Sequence, residues 1–258
     1  MLQFLGKNRQ KVRLTSPKTA DIITKKQKTH FSFWVVVFQN VKGEFMYKHG
    51  KNLRLMDERS IFIDDSVIIG NNVTIYENNR IEGASVIGDG AVLLPGSYIK
   101  NTEIGRDVVF NHSQSEDAVV MDGASVGPYA RLRPGARIGC GAKIGNFVEI
   151  KNATVGNGSK VSHLAYVGDA DIGADCNIGC GVIFVNYNGK TKSRSTVGDG
   201  AFIGSNSNVI APVNIEGGSY VAAGTTVCED IEADDFVIGR PRATKKPGRA
   251  HNYLKERK

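Results

Sequence analysis

A chain of 258 residues with 41% apolar residues, 30 glycines, 7 prolines and 4 cysteines has room for one large domain or two small ones. That composition excludes a low-complexity chain, and no apolar run approaches the ~18 residues that span a bilayer. The formal charge of +7 is uneven: residues 1–60 hold 13 Lys/Arg against 4 Asp/Glu, residues 240–258 hold 8 against 1, and residues 61–239 hold 12 against 21. With basic ends on an acidic body no specific nucleic-acid partner is expected, and nucleic-acid binding through residues 1–60 is the weaker alternative. The opening MLQFLGKNRQ lacks the apolar stretch of a secretory signal, and Cys140, Cys176, Cys180 and Cys228 form no CxxC pair. A soluble, cytoplasmic protein follows, with free thiols and neither a zinc site nor a disulfide scaffold.

Taken in chain order, the first 60 residues form a basic segment of unassigned fold, within which FSFWVVVFQ at 31–39 reads as a strand that has to be covered. From residue 61 the pattern changes. Aliphatic residues recur at every sixth position, at Ile63, Ile69, Ile75, Ile81, Ile87, Leu93 and Ile99. A second series runs Val126, Leu132, Ile138, Ile144, Ile150 and, after single-residue slips, Val155, Val161, Val167, then Ile172, Ile178, Phe184. A third runs Val197, Ile203, Val209, Ile215, Val221, Val227. Small residues such as Ala130, Ala142, Ser159, Ala165, Cys176 and Ser207 often stand two positions earlier. Residues two apart in a strand face the same way, so each pair points into one interior.

A six-residue unit of one short strand and one turn, repeated from 61 to 231, predicts an all-β chain: a parallel β-helix of hexapeptide repeats. Glycine often follows the aliphatic position and is expected to supply tight corners. The unit resembles the left-handed hexapeptide-repeat family, which implies three hexads per coil, so that about nine coils at ~4.8 Å spacing give a prism roughly 40 Å long. Residues 232–258 then form a basic C-terminal arm.

With three hexads per coil, residues at equal offsets stack. His163, Cys180, Ser205 and Ala223 fall at one corner of successive coils, and Arg133 stacks under Lys151 on an outward face. Two cations ~5 Å apart repel unless an anion lies between them, so that pair suggests a phosphate. Of five histidines, His163 alone combines a corner position with a column of small residues above it; it is the candidate general base. Tyr166 faces outward one coil above Glu149 and can hydrogen-bond a ligand, with Glu149 orienting Tyr166 or Lys151. Cys176 sits in the inward small-residue slot as core filler, and neither it nor Cys180 has a base that would make it a nucleophile. The repeat supplies too few histidines for a catalytic metal. Near 186–196 the segment NYNGKTKSRST breaks the six-residue rule, predicting a loop that brings Asn186 and Tyr187 near Cys180 and lets Lys192 and Arg194 reach a phosphate.

The segments RLRPG (131–135), IGNFVEIK (144–151), SKVSHLAYVGDADIGADCNIG (159–179), NYNG (186–189), IGS (203–205) and AAGTTV (222–227) resemble the acetyltransferase domain of the bacterial bifunctional enzymes that make UDP-N-acetylglucosamine. The resemblance runs from about Asp57 to Arg240 and includes the slips and the insertion. It implies a left-handed coil, a homotrimer with sites between subunits, and acetyl transfer from acetyl-CoA to the amine of glucosamine 1-phosphate. It further implies His163 as base, with Arg133, Lys151, Tyr166 and Asn177 holding the sugar phosphate. By the same resemblance Cys180, Asn186, Tyr187, Ser205, Ala223 and Arg240 line the acetyl-CoA site, although the family usually has Ala where Cys180 stands. Only about 60 residues precede the repeat and no glycine-rich nucleotide loop appears, so uridylyl transfer is not expected. The alternatives are a hexapeptide acyltransferase with another amino-sugar acceptor and a non-catalytic trimeric scaffold.

Overall fold

The computed structural model describes residues 11–12, 22–28, 32–37 and 47–252. Near the N-terminus Lys11–Val12, Ile22–Lys28 and Ser32–Val37 form a three-stranded antiparallel sheet, in which the strand expected within 31–39 pairs with Ile22–Lys28.

From Lys48 to Val237 the chain winds into a left-handed parallel β-helix. Short strands stack on three faces of ten, eleven and ten strands. The first face runs from Lys48–His49 to Asn214–Ile215, the second from Arg54–Leu55 to Phe236–Val237, and the third from Phe62–Ile63 to Thr226–Val227. Each strand hands its N–H groups to carbonyls of the next coil, as in Arg131 N–H to Val148 O (2.9 Å) and Glu149 N–H to Ala165 O (2.9 Å). The strand ladders of the coil therefore run between coils, which is why strands of two to four residues persist.

The interior is one continuous column. Leu132, Ile138, Ile144, Ile150, Val161, Val167, Ile178 and Phe184 are each no more than 2% exposed, and the small residues Ala142, Ser159, Ala165, Cys176 and Ser207 fill the space between them. Burial pushes the Cys176 thiol up, and its Sγ donates to Gly198 O (3.1 Å), so it is core filler with no nucleophilic character.

Two expectations are corrected. The coil is longer than nine turns because it already includes Lys48–His49 and Arg54–Leu55 and runs on to Phe236–Val237. Residues 100–125, which carry no clean hexad, continue it through Glu103–Ile104, Val109–Phe110, Gln114–Glu116 and Val119–Val120. That stretch escaped the periodicity because Ser115, 1% exposed, occupies an aliphatic slot and the spacing slips by single residues. Glycine, moreover, supplies only part of the corners. Asn, Asp and even Tyr129, Phe147 and Leu164 take left-handed angles there, while the glycine after the aliphatic residue serves a different purpose. A Cβ on Gly139 would lie 2.6 Å from Asn157 N, and one on Gly179 2.5 Å from Ser205 N, so this glycine keeps clear the backbone of the next coil.

Candidate functional site

His163 ends the second-face strand Lys160–His163, immediately before the corner at Leu164, whose φ is 49°. Its ring is exposed, and Nδ1 lies 2.7 Å from Asn146 Oδ1 on the coil below, where the ladder pairs Asn146 with His163. An amide oxygen only accepts, so Nδ1 carries the proton of the neutral ring and Nε2 keeps its lone pair for a substrate. Asn146 follows Ile144 by two positions, the offset at which His163 follows Val161; extending the histidine column one coil down would have found it.

Above His163 the column is continuous. Gly181 N–H donates to His163 O (3.3 Å), Asn206 N–H to Cys180 O (2.8 Å) and Gly224 N–H to Ser205 O (2.8 Å). Cys180, Ser205 and Ala223 thus stand one above another at the histidine corner. The Arg240 side chain passes the top of the column, its Cγ 3.9 Å from where a Cβ on Gly224 would be. Asn177 lies on the second face three residues before Cys180, between Lys160 and Phe202 in the ladder.

The third face carries the other polar residues. Glu149 pairs with Tyr166 across the ladder, and Lys151 pairs with Gly168. Arg133 differs from expectation: it is not an unpaired cation, because its Nη1 donates to Glu149 Oε1 at 2.7 Å. Glu149 therefore fixes Arg133, and the partly exposed pair keeps its remaining donors for a ligand. Gly168 is needed for space, since a Cβ there would overlap the hydroxyl end of Tyr166. Gly168→Ala is expected to push the phenol off the face with little change in the fold, seen as a loss of roughly tenfold in sugar affinity if Tyr166 binds that ligand.

Asn186 does not emerge near Cys180. It follows the strand Ile183–Val185 at the far edge of the third face, where it is buried and donates from Nδ2 to Asp169 Oδ2. Beyond it the insertion is a small hairpin: Tyr187 bridges Lys192, and the Asn188 side chain accepts from the N–H groups of Lys190 (2.9 Å) and Thr191 (2.8 Å). Tyr187 is exposed, with its hydroxyl on Gly189 O at 2.7 Å. Arg194 is not available for a phosphate, because it forms a two-pronged ion pair with Asp171 and donates to Asn152 O at 2.8 Å. That hydrogen bond to Arg194 also holds the Asp171 carboxyl below its ordinary range, so the pair contributes above that range and is lost as pH falls through the folded value.

Within one chain the residues therefore form two groups. His163, Cys180, Ser205, Ala223 and Arg240 follow the histidine corner, and Arg133, Lys151 and Tyr166 spread across the third face toward Asn186. Among the described residues no group of three or more His, Cys, Asp or Glu is placed to hold a metal, and no helix is long and apolar enough to cross a membrane.

No protein-family model matches the chain. Bifunctional protein GlmU of Shouchella clausii is 44% identical over 206 residues, covering 80% of this chain and 44% of that protein. GlmU of Enterococcus faecalis is 46% identical over 211 residues, covering 81% of this chain and 46% of that protein. The chain thus spans less than half the length of these relatives. Among solved structures, a GDP-perosamine N-acetyltransferase mutant of Caulobacter crescentus, in complex with CoA and GDP-perosamine, is 26% identical with a TM-score of 0.38, covering 50% of this chain and 56% of its own. Over some 80% of its length the chain is therefore similar, at 44–46% identity, to part of the bifunctional GlmU proteins.

Proposed function

We propose that the chain is a glucosamine-1-phosphate N-acetyltransferase that uses acetyl-CoA and forms N-acetylglucosamine 1-phosphate, a precursor of UDP-N-acetylglucosamine for the cell wall. The observation that carries this reading is the exposed His163 imidazole, held by Asn146 with Nε2 free, at the foot of a corner column that leads past Cys180, Ser205 and Ala223 to Arg240. Such a column suits an extended pantetheine arm lying along the coil edges, with the nucleotide phosphates toward Arg240. Similarity to GlmU supports the substrate class.

In the mechanism, the sugar ammonium first releases one proton to solvent, and His163 Nε2 then takes a second from the amine as it attacks. The amine nitrogen bonds to the thioester carbonyl carbon, the C–S bond breaks, and the proton returns from the imidazolium to the departing CoA thiolate. No covalent enzyme intermediate is required. Arg133, Lys151, Tyr166 and Asn177 bind the sugar phosphate, and Asn186 and Tyr187 join Cys180, Ser205, Ala223 and Arg240 at the coenzyme.

The two groups of residues meet if a neighbouring copy completes each site, as in a homotrimer. The stacked rings of Tyr129 and Phe147 (5.5 Å between centroids), with Leu164 on the next coil, support that assembly, because all three are more than half exposed. Mass measurement in solution checks it: a monomer at micromolar concentration would remove the shared site.

Free-thiol release from acetyl-CoA, measured with a panel of amino sugars, tests the function. Turnover is expected with glucosamine 1-phosphate; turnover only with another amine would reassign the acceptor. Lys151→Ala is expected to raise KM for the sugar phosphate roughly 10- to 100-fold, the worth of one charge-assisted phosphate contact. The same change should leave the weaker KM for unphosphorylated glucosamine nearly unaltered, and an equal rise for both would remove Lys151 from the phosphate site.

A further inference from the structure

The mechanism above makes no use of Asp169, yet this carboxylate is only 7% exposed. Asp169 takes the left-handed corner after Gly168, with φ of 48°, where the third face turns into the first. Each carboxylate oxygen receives one side-chain amide. Asn152 Nδ2 donates to Oδ1 at 2.6 Å from the coil below, and Asn186 Nδ2 donates to Oδ2 from the coil above. The backbone adds a second tie: Ser195 N–H donates to Asp169 O at 3.2 Å, and Ser193 N–H closes the neck on Asn186 O at 2.9 Å. The hairpin thus leaves the coil at Asn186 and rejoins it at Ser195 with both ends fastened to one residue.

A buried charge costs free energy unless it is fully hydrogen-bonded. Burial alone would raise the Asp169 carboxyl, yet the two amides, with Lys151 and Lys192 nearby, hold it below its ordinary range, so it is ionised at neutral pH. An ionised carboxylate only accepts, which forces the amide face of Asn186 toward it and turns Asn186 Oδ1 the other way. A neutral amide at 169 both donates and accepts and imposes no such choice.

We propose that Asp169 is a positioning residue that fixes the neck of the hairpin and the side-chain orientation of Asn186, presenting Asn186 Oδ1 as the acceptor for an N–H group of the bound acetyl-CoA. This deepens the functional reading and rests on it. The Asp169→Asn variant tests it in the full chain, with Asn152→Ala as the comparison that removes an amide from the same carboxylate but leaves Asn186 aligned. Asp169→Asn is expected to raise KM for acetyl-CoA about tenfold and to change kcat and KM for the sugar phosphate less than about threefold, whereas Asn152→Ala moves all three by less than about threefold. Trypsin cleavage after Lys190 and Lys192 should quicken roughly tenfold in Asp169→Asn under conditions where the coil stays folded by circular dichroism.

Unchanged KM and cleavage in Asp169→Asn would overturn the proposal. So would equal effects from the two variants, which would make the corner as a whole, and not the Asn186 amide, the thing Asp169 maintains. If the unaltered protein transfers acetyl to no amino sugar, the functional reading falls instead. The cleavage comparison then still decides whether Asp169 fastens the hairpin, and direct calorimetric titration of acetyl-CoA into the two proteins decides whether it serves the coenzyme.

Discussion

His163→Ala is expected to lower kcat by ~10²- to 10⁴-fold, the usual range for a positioned general base. The side chain is exposed and its one recorded hydrogen bond is to Asn146, so little packing is lost and the melting temperature should hold. Coenzyme affinity should hold as well, because the column above His163 is tied together by backbone bonds that the substitution leaves in place. Asn146→Leu provides a graded companion. Without Oδ1 the neutral ring can carry its proton on either nitrogen and can rotate, so an intermediate loss is expected. Free-thiol release by the purified variants makes the measurement. Activity within tenfold of the unaltered protein in His163→Ala would remove the imidazole from the chemistry, and full loss in a misfolded protein is excluded by following the melt in parallel.

Gly145→Ala is expected to be the most damaging single methyl in the neighbourhood of the site. A Cβ at Gly145 would overlap the carbonyl oxygen of Ser162, the residue before His163 on the next coil, with the Ser162 carbonyl carbon 2.7 Å away. The obstacle is backbone held in the ladder between Lys143–Asn146 and Lys160–His163, so it cannot swing aside as a side chain would. Overpacking of this kind typically costs about 1–3 kcal/mol, which for a domain of this size lowers the melting temperature by roughly 2–12 °C. The two coils separate where Asn146 reaches His163, so turnover should fall more than stability alone explains. Gly141→Ala is the comparison: no atom lies within 4 Å of a Cβ there, and only the left-handed angle of 63° opposes it. A melting loss in Gly145→Ala no larger than in Gly141→Ala would show that coil clearance is not what this glycine provides.

These two substitutions sample what the sequence shows to different degrees. Hexad spacing was legible because a parallel coil repeats one environment: the aliphatic residues at the sixth positions from Ile63 to Val227 meet the same interior, so the same residue type recurs at the same interval. The coil between residues 100 and 125 was not legible, because Ser115 in an aliphatic slot and several one-residue slips break the count while the inter-coil hydrogen bonds tolerate both. The histidine column could be drawn from spacing, since stacking follows from the repeat. Its foot at Asn146 was within reach of the same counting, yet what Asn146 does depends on a 2.7 Å contact that no spacing specifies.

By itself, then, the sequence determined the all-β coil, its inward residues and the alignment of His163, Cys180, Ser205 and Ala223, because these depend only on period and on which way a strand residue points. The tertiary structure decided which charges are spoken for. Arg133 is held by Glu149, Arg194 by Asp171, and the amide of Asn186 by Asp169. Those pairings join residues 16, 23 and 17 positions apart through side-chain reach across coils and corners. Hydrogen bonds and ion pairs depend on distance and direction at the ångström scale, which only the folded backbone sets.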